Sequence, residues 1–385
     1  MTSVPPPVSL ILELTHRCPL SCPYCSNPVA LAQKSQEQPF DYWQTLIRQA
    51  ADLGVLHVHF TGGEPLLYAN ACKLVRYAHS LGLYTNLITS GITTQEQTLQ
   101  LTQAAQVDHV QLSIQDALPE QADSMSGLSK SWERKRSFAQ HIGNAHIPLT
   151  INAVIHRHNA QRVEEMIALA AEWGAERIEI AHTQYYGWGL LNRSSLIPSR
   201  AQMHFTQAVV ERERQHFGNR LKIDFVIPDY YARYPKACMG GWGRQAITVS
   251  PEGYIMPCHA ASTIADVTFE TITDRSLADI WYNGAIFSRY RGIDVLPASC
   301  KTCDRREIDW GGCRCQAIAL TGSSTEMDPA CQLSHYHQSM GSIAENEAAH
   351  APVAPLIFRT YKQNPLETPR AIPLLLRTDT EYAPP

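Results

Sequence analysis

From residue 8 to about residue 183 the chain alternates between short apolar runs and longer stretches in which apolar side chains return every three or four positions. The short runs are VSLILEL (8–14), VLHVHF (55–60), LYTNLIT (83–89), HVQLSI (109–114), LTINAVI (149–155) and RIEIAHT (177–183), and they read as strands. Between them, DYWQTLIRQAADLG (41–54) and QRVEEMIALAAEWGA (161–175) carry helical periodicity, with Gly54, Gly82 and Gly174 placed to end helices. Nearly continuous apolar strands that alternate with helices predict an α/β fold built on a parallel sheet with helices packed outside it. Six such units suit a partial (β/α)6 TIM-like barrel better than a complete eight-unit one, and place chemistry at the C-terminal strand ends.

The pattern then changes. SRAQMHFTQAVVERERQHFG (199–218) reads as a helix and LKIDFVIP (221–228) as another strand. After Cys238, AITVSPEGYIMPC (246–258) reads as a hairpin turning at PEG, and SLADIWYNGAIFSRY (276–290) as one helix capped by Ser276. The rest of this region is loop rich in Cys and Gly, with a small apolar core that needs staples. Beyond about residue 340 the chain is polar, Ala-rich and then Pro-rich. These textures divide it into a core domain over 1–195, a bridging segment over 196–237, a cysteine-rich domain over 238–340, and a flexible tail without chemistry over 341–385.

Composition narrows the class. The chain has 385 residues, 44% hydrophobic and 18% charged, as ordinary soluble enzymes do, and its net charge of −4 with no basic stripe argues against nucleic-acid binding. The start, MTSVPPPVSLILEL, lacks the features of a signal peptide, and no apolar run spans a membrane, so a cytoplasmic location is expected. In that setting eleven cysteines read as metal ligands rather than disulfides, apart from Cys72, which reads as a small buried hydrophobe.

Cys18, Cys22 and Cys25 have C-x3-C-x2-C spacing directly after the first strand. A structural zinc site wants four ligands, so three thiolates suit it only if a residue such as His16 joins them. On a four-iron cube, three thiolates leave one iron open, and Pro19 and Pro23 keep the segment from closing into a regular helix. At the end of the second strand stands FTGGEP (60–65), where Gly62 and Gly63 allow close backbone approach to a ligand and Glu64 adds a carboxylate.

Together these motifs resemble the radical S-adenosylmethionine (SAM) superfamily. The resemblance implies that Cys18, Cys22 and Cys25 hold a [4Fe–4S] cluster whose fourth iron is chelated by SAM, and that Gly62, Gly63 and Glu64 face the methionine ammonium. Asn86, Thr89, Ser90, Ser113, Gln115 and Asn152, near strand ends, are further candidates for the SAM pocket; each equally suits the satisfaction of local backbone groups. The later cysteines, Cys238, Cys258, Cys300, Cys303, Cys313, Cys315 and Cys331, resemble the SPASM extension of radical SAM enzymes, which binds two auxiliary Fe–S clusters. Its usual run is C-x2-C-x5-C-x3-C. Here Asp309 stands in the third place, Cys315 is extra, and a second cysteine shortly after Cys238 is absent. Two four-ligand clusters need eight ligands. Asp309 fills the set, or is a surface turn residue with solvent in its place. The family's chain order implies Cys238, Cys258, Cys313 and Cys315 for one cluster, and Cys300, Cys303, Asp309 and Cys331 for the other. A zinc ribbon is the alternative for the whole region.

ELTHRCPLSCPYCSNP, YTNLITSG, QYYGWGLLNR, IPDYY, GGWG and GGCRCQA narrow the resemblance to the PqqA peptide cyclase family of pyrroloquinoline quinone (PQQ) biosynthesis. That implies a C–C bond between a Glu side chain and a Tyr ring of the PqqA precursor peptide, with Tyr185, Tyr186 and Trp188 lining the peptide channel or simply packing between domains. Only seventeen residues precede Cys18, too few for a peptide-binding domain, so delivery in trans by a PqqD-type peptide chaperone is expected, with a flavodoxin-like electron donor. The rival readings are another SPASM maturase, thioether-forming or sulfatase-maturing, and a zinc-stapled binding protein without catalysis.

Overall fold

The computed structural model describes residues 4–264, 267–351, 355–361 and 375. Nine strands form one sheet: β1 (Ser9–Thr15), β2 (His57–Gly62), β3 (Tyr84–Thr89), β4 (His109–Ile114), β5 (Leu149–Ile155), β6 (Arg177–His182), β7 (Lys222–Val226), β8 (Ala246–Val249) and β9 (Ile255–Met256). Their order is β7-β6-β5-β4-β3-β2-β1-β8-β9, and every neighbouring pair is parallel except β8 with β9. The six strands expected from the apolar runs lie side by side in chain order, joined by helices, as the α/β reading requires. The sheet stays open, with β7 and β9 as its edges.

One face of the sheet is apolar. Leu10, Leu12, Leu14, Val58, Phe60, Leu87, Val110, Leu112, Ile151, Ile178 and Ile180 are fully buried there, in one cluster with Trp43, Leu46 and Ile47 of helix Phe40–Leu53, Phe138 and Ile142 of helix Ser131–Asn144, and Met166 and Ile167 of helix Val163–Glu172. At about 2 kcal/mol for each large side chain buried, this face fixes which way every strand is turned. The alternate positions include polar residues as well as Ile11, Ile88 and Val154, so the strands are less continuously apolar than expected. His59 Nδ1 accepts from Asn86 Nδ2 at 3.1 Å, Asn86 Oδ1 accepts from His109 Nδ1 at 2.7 Å, and His109 Nε2 accepts from Thr150 Oγ1 at 2.9 Å. This relay runs across four strands at the level where β4 begins.

The hairpin expected at PEG forms, but it is not confined to the cysteine-rich region. β8 pairs in parallel with β1, from Ser9 opposite Ala246 to Leu12 opposite Val249, which joins that region to the main sheet. The helix expected over 276–290 starts at Ser276, whose Oγ accepts from the Asp279 N–H at 3.2 Å. It then breaks at Gly284 into Leu277–Asn283 and Ala285–Ser288, so that Trp281 and Phe287 can both enter the core.

The tail reading needs correction at its start. Residues 337–349 form a helix whose Met340 and Ala344, one turn apart, are fully buried against Tyr185, Tyr230 and Leu320. Arg157 closes its C-terminus by donating to the carbonyls of Glu347, Ala348 and His350. Residues 355–361 lie against the loop of the first three cysteines, and most of the remaining tail is outside the described residues.

The polar relay yields a pH prediction. Burial, reinforced by His57 and His109, lowers His59 from an ordinary 6.5 to about 4. The folded state therefore binds fewer protons there than the unfolded state. The stability this contributes is fully present above about pH 6.5 and is lost as the pH falls towards 4. His59→Gln is expected to flatten that decline, measured as denaturant midpoints at pH 7 and pH 5. Equal losses in parent and variant would show that His59 titrates normally.

Candidate functional site

β1 ends into the loop that carries Cys18, Cys22 and Cys25, all free and partly buried. The loop is held at many points by backbone groups. Ser21 N–H donates to Ser126 O at 2.8 Å, Pro23 O accepts from Asn192 Nδ2 at 2.8 Å, and Cys25 O accepts from Trp188 N–H at 3.2 Å. Burial pushes the Cys18 thiol up to about 12, with Glu64 adding repulsion, and the Cys22 thiol up to about 11, with Cys25 adding to it. Thiols so placed become thiolates only when a multivalent cationic centre compensates them.

The two glycines of GGEP act on the chain itself before any ligand. A Cβ at Gly62 would lie 2.2 Å from Thr15 O, and one at Gly63 would lie 2.3 Å from Arg17 O. Their absence lets Gly63 N–H donate to Thr15 O at 2.6 Å and Glu64 N–H to Arg17 O at 2.7 Å, so the exits of β1 and β2 are joined. Glu64 is fully buried, and burial raises its pKa. Its carboxylate accepts from Thr89 Oγ1 at 2.8 Å, from Ser90 N–H at 2.8 Å, from Ser90 Oγ at 2.5 Å and from Leu66 N–H at 3.1 Å. Thr89 and Ser90, expected in the SAM pocket, thus serve Glu64.

Lys135 was not singled out from the sequence. It lies on the buried stripe of its helix with Ser131, Phe138, Ala139 and Ile142, a register that marks it as inward-facing. Its Nζ donates to Ser90 O at 2.5 Å and to Ser113 O at 2.8 Å. Burial lowers it to about 8 while Cys22, Cys18 and Glu64 pull it upward. Ser113 thus contributes a carbonyl at the end of β4. Asn152 on β5 instead donates to Glu179 Oε2 at 3.2 Å. Asn86 does not join the site: its amide is used on both sides by the histidine relay, at the opposite end of the strands from the cysteine loop.

Tyr24, between Cys22 and Cys25, stacks on His156 just past β5, with ring centroids 5.7 Å apart. Tyr24 Oη, Gln115 Oε1 and His156 Nε2 are all buried without a hydrogen-bond partner. Polar atoms buried in this way mark where a bound polar molecule is accommodated.

The later cysteines gather into two sets. Cys238 lies against Cys258 and Cys313, Cys313 lies against Cys315, and the Cys258 and Cys315 sulfurs are 4.0 Å apart. Hydrogen bonding among these thiols raises Cys238 and Cys315 and lowers Cys258 and Cys313. Cys300, Cys303, Asp309 and Cys331 line one small cavity with Arg305 and Asp328. Asp309 is buried, not at the surface. One of its oxygens accepts from Arg305 Nε at 3.0 Å and the other from Gly311 N–H at 3.1 Å, and each keeps a free lone pair. Asp328, also missed from the sequence, ties the sets together. It accepts from Cys313 N–H at 2.6 Å and from Ala330 N–H at 2.9 Å, and burial pushes it up to about 7.

Of the three aromatic residues after β6, Tyr185 and Trp188 are packed away, Tyr185 against Tyr230 at 5.1 Å. Tyr186 alone reaches towards chemistry. Its ring is 5.3 Å from that of His259, and its hydroxyl feels the charges of Cys258 and Glu13. Glu13 on β1 is buried 3.6 Å from His16, so a polar group lies between the first cysteine loop and the Cys258 set.

Comparison with known proteins agrees with this geometry. Residues 12–170 match the Radical SAM superfamily model, and residues 238–304 match SPASM, an iron–sulfur cluster-binding domain. The PqqA peptide cyclase of Xanthomonas campestris pv. campestris (strain B100) is 55% identical over 359 residues, covering 93% of this chain and 95% of that protein. The PqqA peptide cyclase of Gluconobacter oxydans (strain 621H) is 49% identical over 361 residues, covering 94% and 100%. Among solved structures, Streptococcus suis SuiB bound to S-adenosylmethionine superposes with a TM-score of 0.70 at 20% identity, over 85% of this chain and 77% of that one. At that identity the likeness speaks for the fold.

The glycine contact can be tested directly. Gly63→Ala places a methyl against two backbone carbonyls, His16 O at 2.6 Å and Arg17 O at 2.3 Å, neither of which can yield without moving the cysteine loop. The variant is expected to lose about 1–3 kcal/mol of stability. It should also lose iron from the first loop while retaining it at the later sets, as measured by thermal melting and iron analysis. Parent-like values would mean the contact is not needed.

Proposed function

The chain belongs to the PqqA peptide cyclases, radical SAM enzymes with a SPASM extension, and we propose that it joins a glutamate side-chain carbon to a tyrosine ring carbon within the PqqA precursor peptide, an early step of PQQ biosynthesis. The observation that carries this reading is the pairing of one three-cysteine loop with a four-thiol set across the polar group of Glu13, His16, Tyr186 and His259. Radical addition to an aromatic ring leaves one electron and one proton to be removed, so the chemistry needs a radical source and an electron acceptor flanking one substrate. The family uses a [4Fe–4S] cluster with SAM and auxiliary Fe–S clusters; when bound, they supply a 5′-deoxyadenosyl radical and an electron sink.

In this reading Cys18, Cys22 and Cys25 hold the SAM-binding cluster. Cys238, Cys258, Cys313 and Cys315 hold one auxiliary cluster, and Cys300, Cys303, Asp309 and Cys331 the other. The donor sets fit: thiolates suit iron–sulfur centres, and a carboxylate is a harder substitute. The backbone of Gly62, Gly63 and Glu64 binds the ammonium, and Tyr24, Gln115 and His156 offer their unpartnered atoms to the rest of SAM. Glu64 and Lys135 hold the ends of β2, β3 and β4 in place around it and exclude water. Tyr186 lines the path between radical source and acceptor. A PqqD-type chaperone that delivers the peptide and a flavodoxin-like electron donor complete the proposal.

Incubating the anaerobically reconstituted protein with PqqA peptide, SAM, a flavodoxin and a PqqD-type chaperone is expected to yield a peptide lighter by two hydrogen atoms and free of thioether. Cys22→Ala is expected to abolish 5′-deoxyadenosine formation, and omitting the chaperone or the flavodoxin to leave little product. A thioether product, or SAM cleavage that survives in Cys22→Ala, would sink the reading.

Asp309 gives a separate test. Asp309→Cys is expected to keep the second auxiliary cluster and change its electron paramagnetic resonance spectrum. Asp309→Ala should loosen or convert the cluster and lower crosslinking while SAM cleavage persists. If Asp309→Ala matches the parent in iron content, spectrum and yield, Asp309 is not a ligand.

A further inference from the structure

Residues 355–361 reach back to the first cysteine loop. Asn192 grips Ile357 on both sides, accepting from its N–H at 2.7 Å and donating to its carbonyl at 2.8 Å, and the same Nδ2 donates to Pro23 O in the loop at 2.8 Å. Arg359 N–H donates to Ser21 O at 3.0 Å. The Arg359 guanidinium donates through Nη2 to His16 O and lies 3.5 Å from Asn27 Oδ1. The loop is therefore tied on the residues flanking Cys18, Cys22 and Cys25 by a segment more than three hundred residues away in the chain.

Arg359 is only 4% exposed, and its Nε has no hydrogen-bond partner. Among the described residues no carboxylate forms an ion pair with it. A buried cation without an anion is costly, and backbone carbonyls compensate it only in part. The guanidinium's contacts fall on both sides of the cysteine run, at His16 before Cys18 and Asn27 after Cys25. The anion this site calls for is the thiolate-ligated iron–sulfur cluster itself.

We propose that Arg359 is a positioning residue for the SAM-binding cluster: it closes the cysteine loop from the C-terminal side and supplies the buried counter-charge to the anionic iron–sulfur site. The inference rests on the reading above, in which Cys18, Cys22 and Cys25 hold that cluster. A neutral residue at 359 makes addition of an electron to an already anionic site less favourable, and it frees one side of the loop. A lysine keeps the charge and gives up part of the hydrogen bonding.

The test compares the parent with Arg359→Gln and Arg359→Lys in the full chain, reading the reduction midpoint of the SAM-site cluster and the rate of iron loss to a chelator. The spectra of the auxiliary clusters serve as a control for folding. Arg359→Gln is expected to shift the midpoint to more negative potential and to speed iron loss roughly 10-fold. Arg359→Lys is expected to hold the midpoint near that of the parent, with iron loss in between. If Arg359→Gln assembles no cluster on the loop while the auxiliary spectra persist, recovery in Arg359→Lys supports the proposal and equal failure of both overturns it. Parent-like values in Arg359→Gln, or equal acceleration in both variants with an unmoved midpoint, overturn it while leaving the wider reading intact. A parent with no reducible cluster on the loop of Cys18 overturns both.

Discussion

The contact on which the rest depends is the close passage of two backbones, Gly62–Glu64 against Thr15–Arg17. Bonds of 2.6 and 2.7 Å join them, at a separation that a single methyl would forbid. This contact fixes the angle at which the chain leaves β1, and so where Cys18 begins its loop. It also turns Glu64 inward, where Thr89 and Ser90 saturate the carboxylate and bring the end of β3 into the same assembly. Lys135 then joins β3 to β4 through the carbonyls of Ser90 and Ser113. The ends of four neighbouring strands are thus locked together by polar bonds inside a buried space, where such bonds are stronger than in water and costly to leave unmade.

The second constraint is charge. The Cys18 and Cys22 thiols are buried in surroundings that favour their protonated form, and two cations are buried close by. Lys135 arrives from a helix face and Arg359 from the far end of the chain. In the cysteine-rich region the equivalent need is met by Arg305 on Asp309 and by Arg314, whose charge opposes the burial that pushes Cys300 up to about 11. The two later sets are also coupled mechanically, because Asp328 holds Cys313 on one side and the turn before Cys331 on the other. Parallel pairing of β8 with β1 sets Cys258, two residues past the hairpin, in a fixed relation to the first cysteine loop.

Much of this was legible from the residues. The six apolar runs became β1 to β6 because burial against the helices dictates one face of each, and period-two alternation is a local property. The cysteine spacings and GGEP identified the chemistry because ligand spacing is itself short-range. Cys238, Cys258, Cys313 and Cys315 are neighbours in space, and Cys300, Cys303, Asp309 and Cys331 line one cavity, although nothing in the spacing of Cys258 and Cys315 says that their sulfurs approach within 4.0 Å. Polar residues on the strands were harder to read. Asn86, Thr89, Ser90 and Asn152 have the same local setting, and only the partners across the sheet separate a histidine relay from support for Glu64 or a bond to Glu179.

By itself the sequence determined the alternating α/β architecture, the position of the helix cap at Ser276, and the donor atoms available for iron. The tertiary structure alone decided that the PEG hairpin extends the main sheet, that Asp309 is buried, that the helix of residues 337–349 packs through Met340 and Ala344, and that Arg359 is buried against the first cysteine loop. The physical reason is range. Periodicity, capping and ligand spacing act over a few residues and are written where they act. The compensation of buried charge depends on which groups meet after the chain has closed on itself, as the His16 carbonyl and the Arg359 guanidinium do across most of its length.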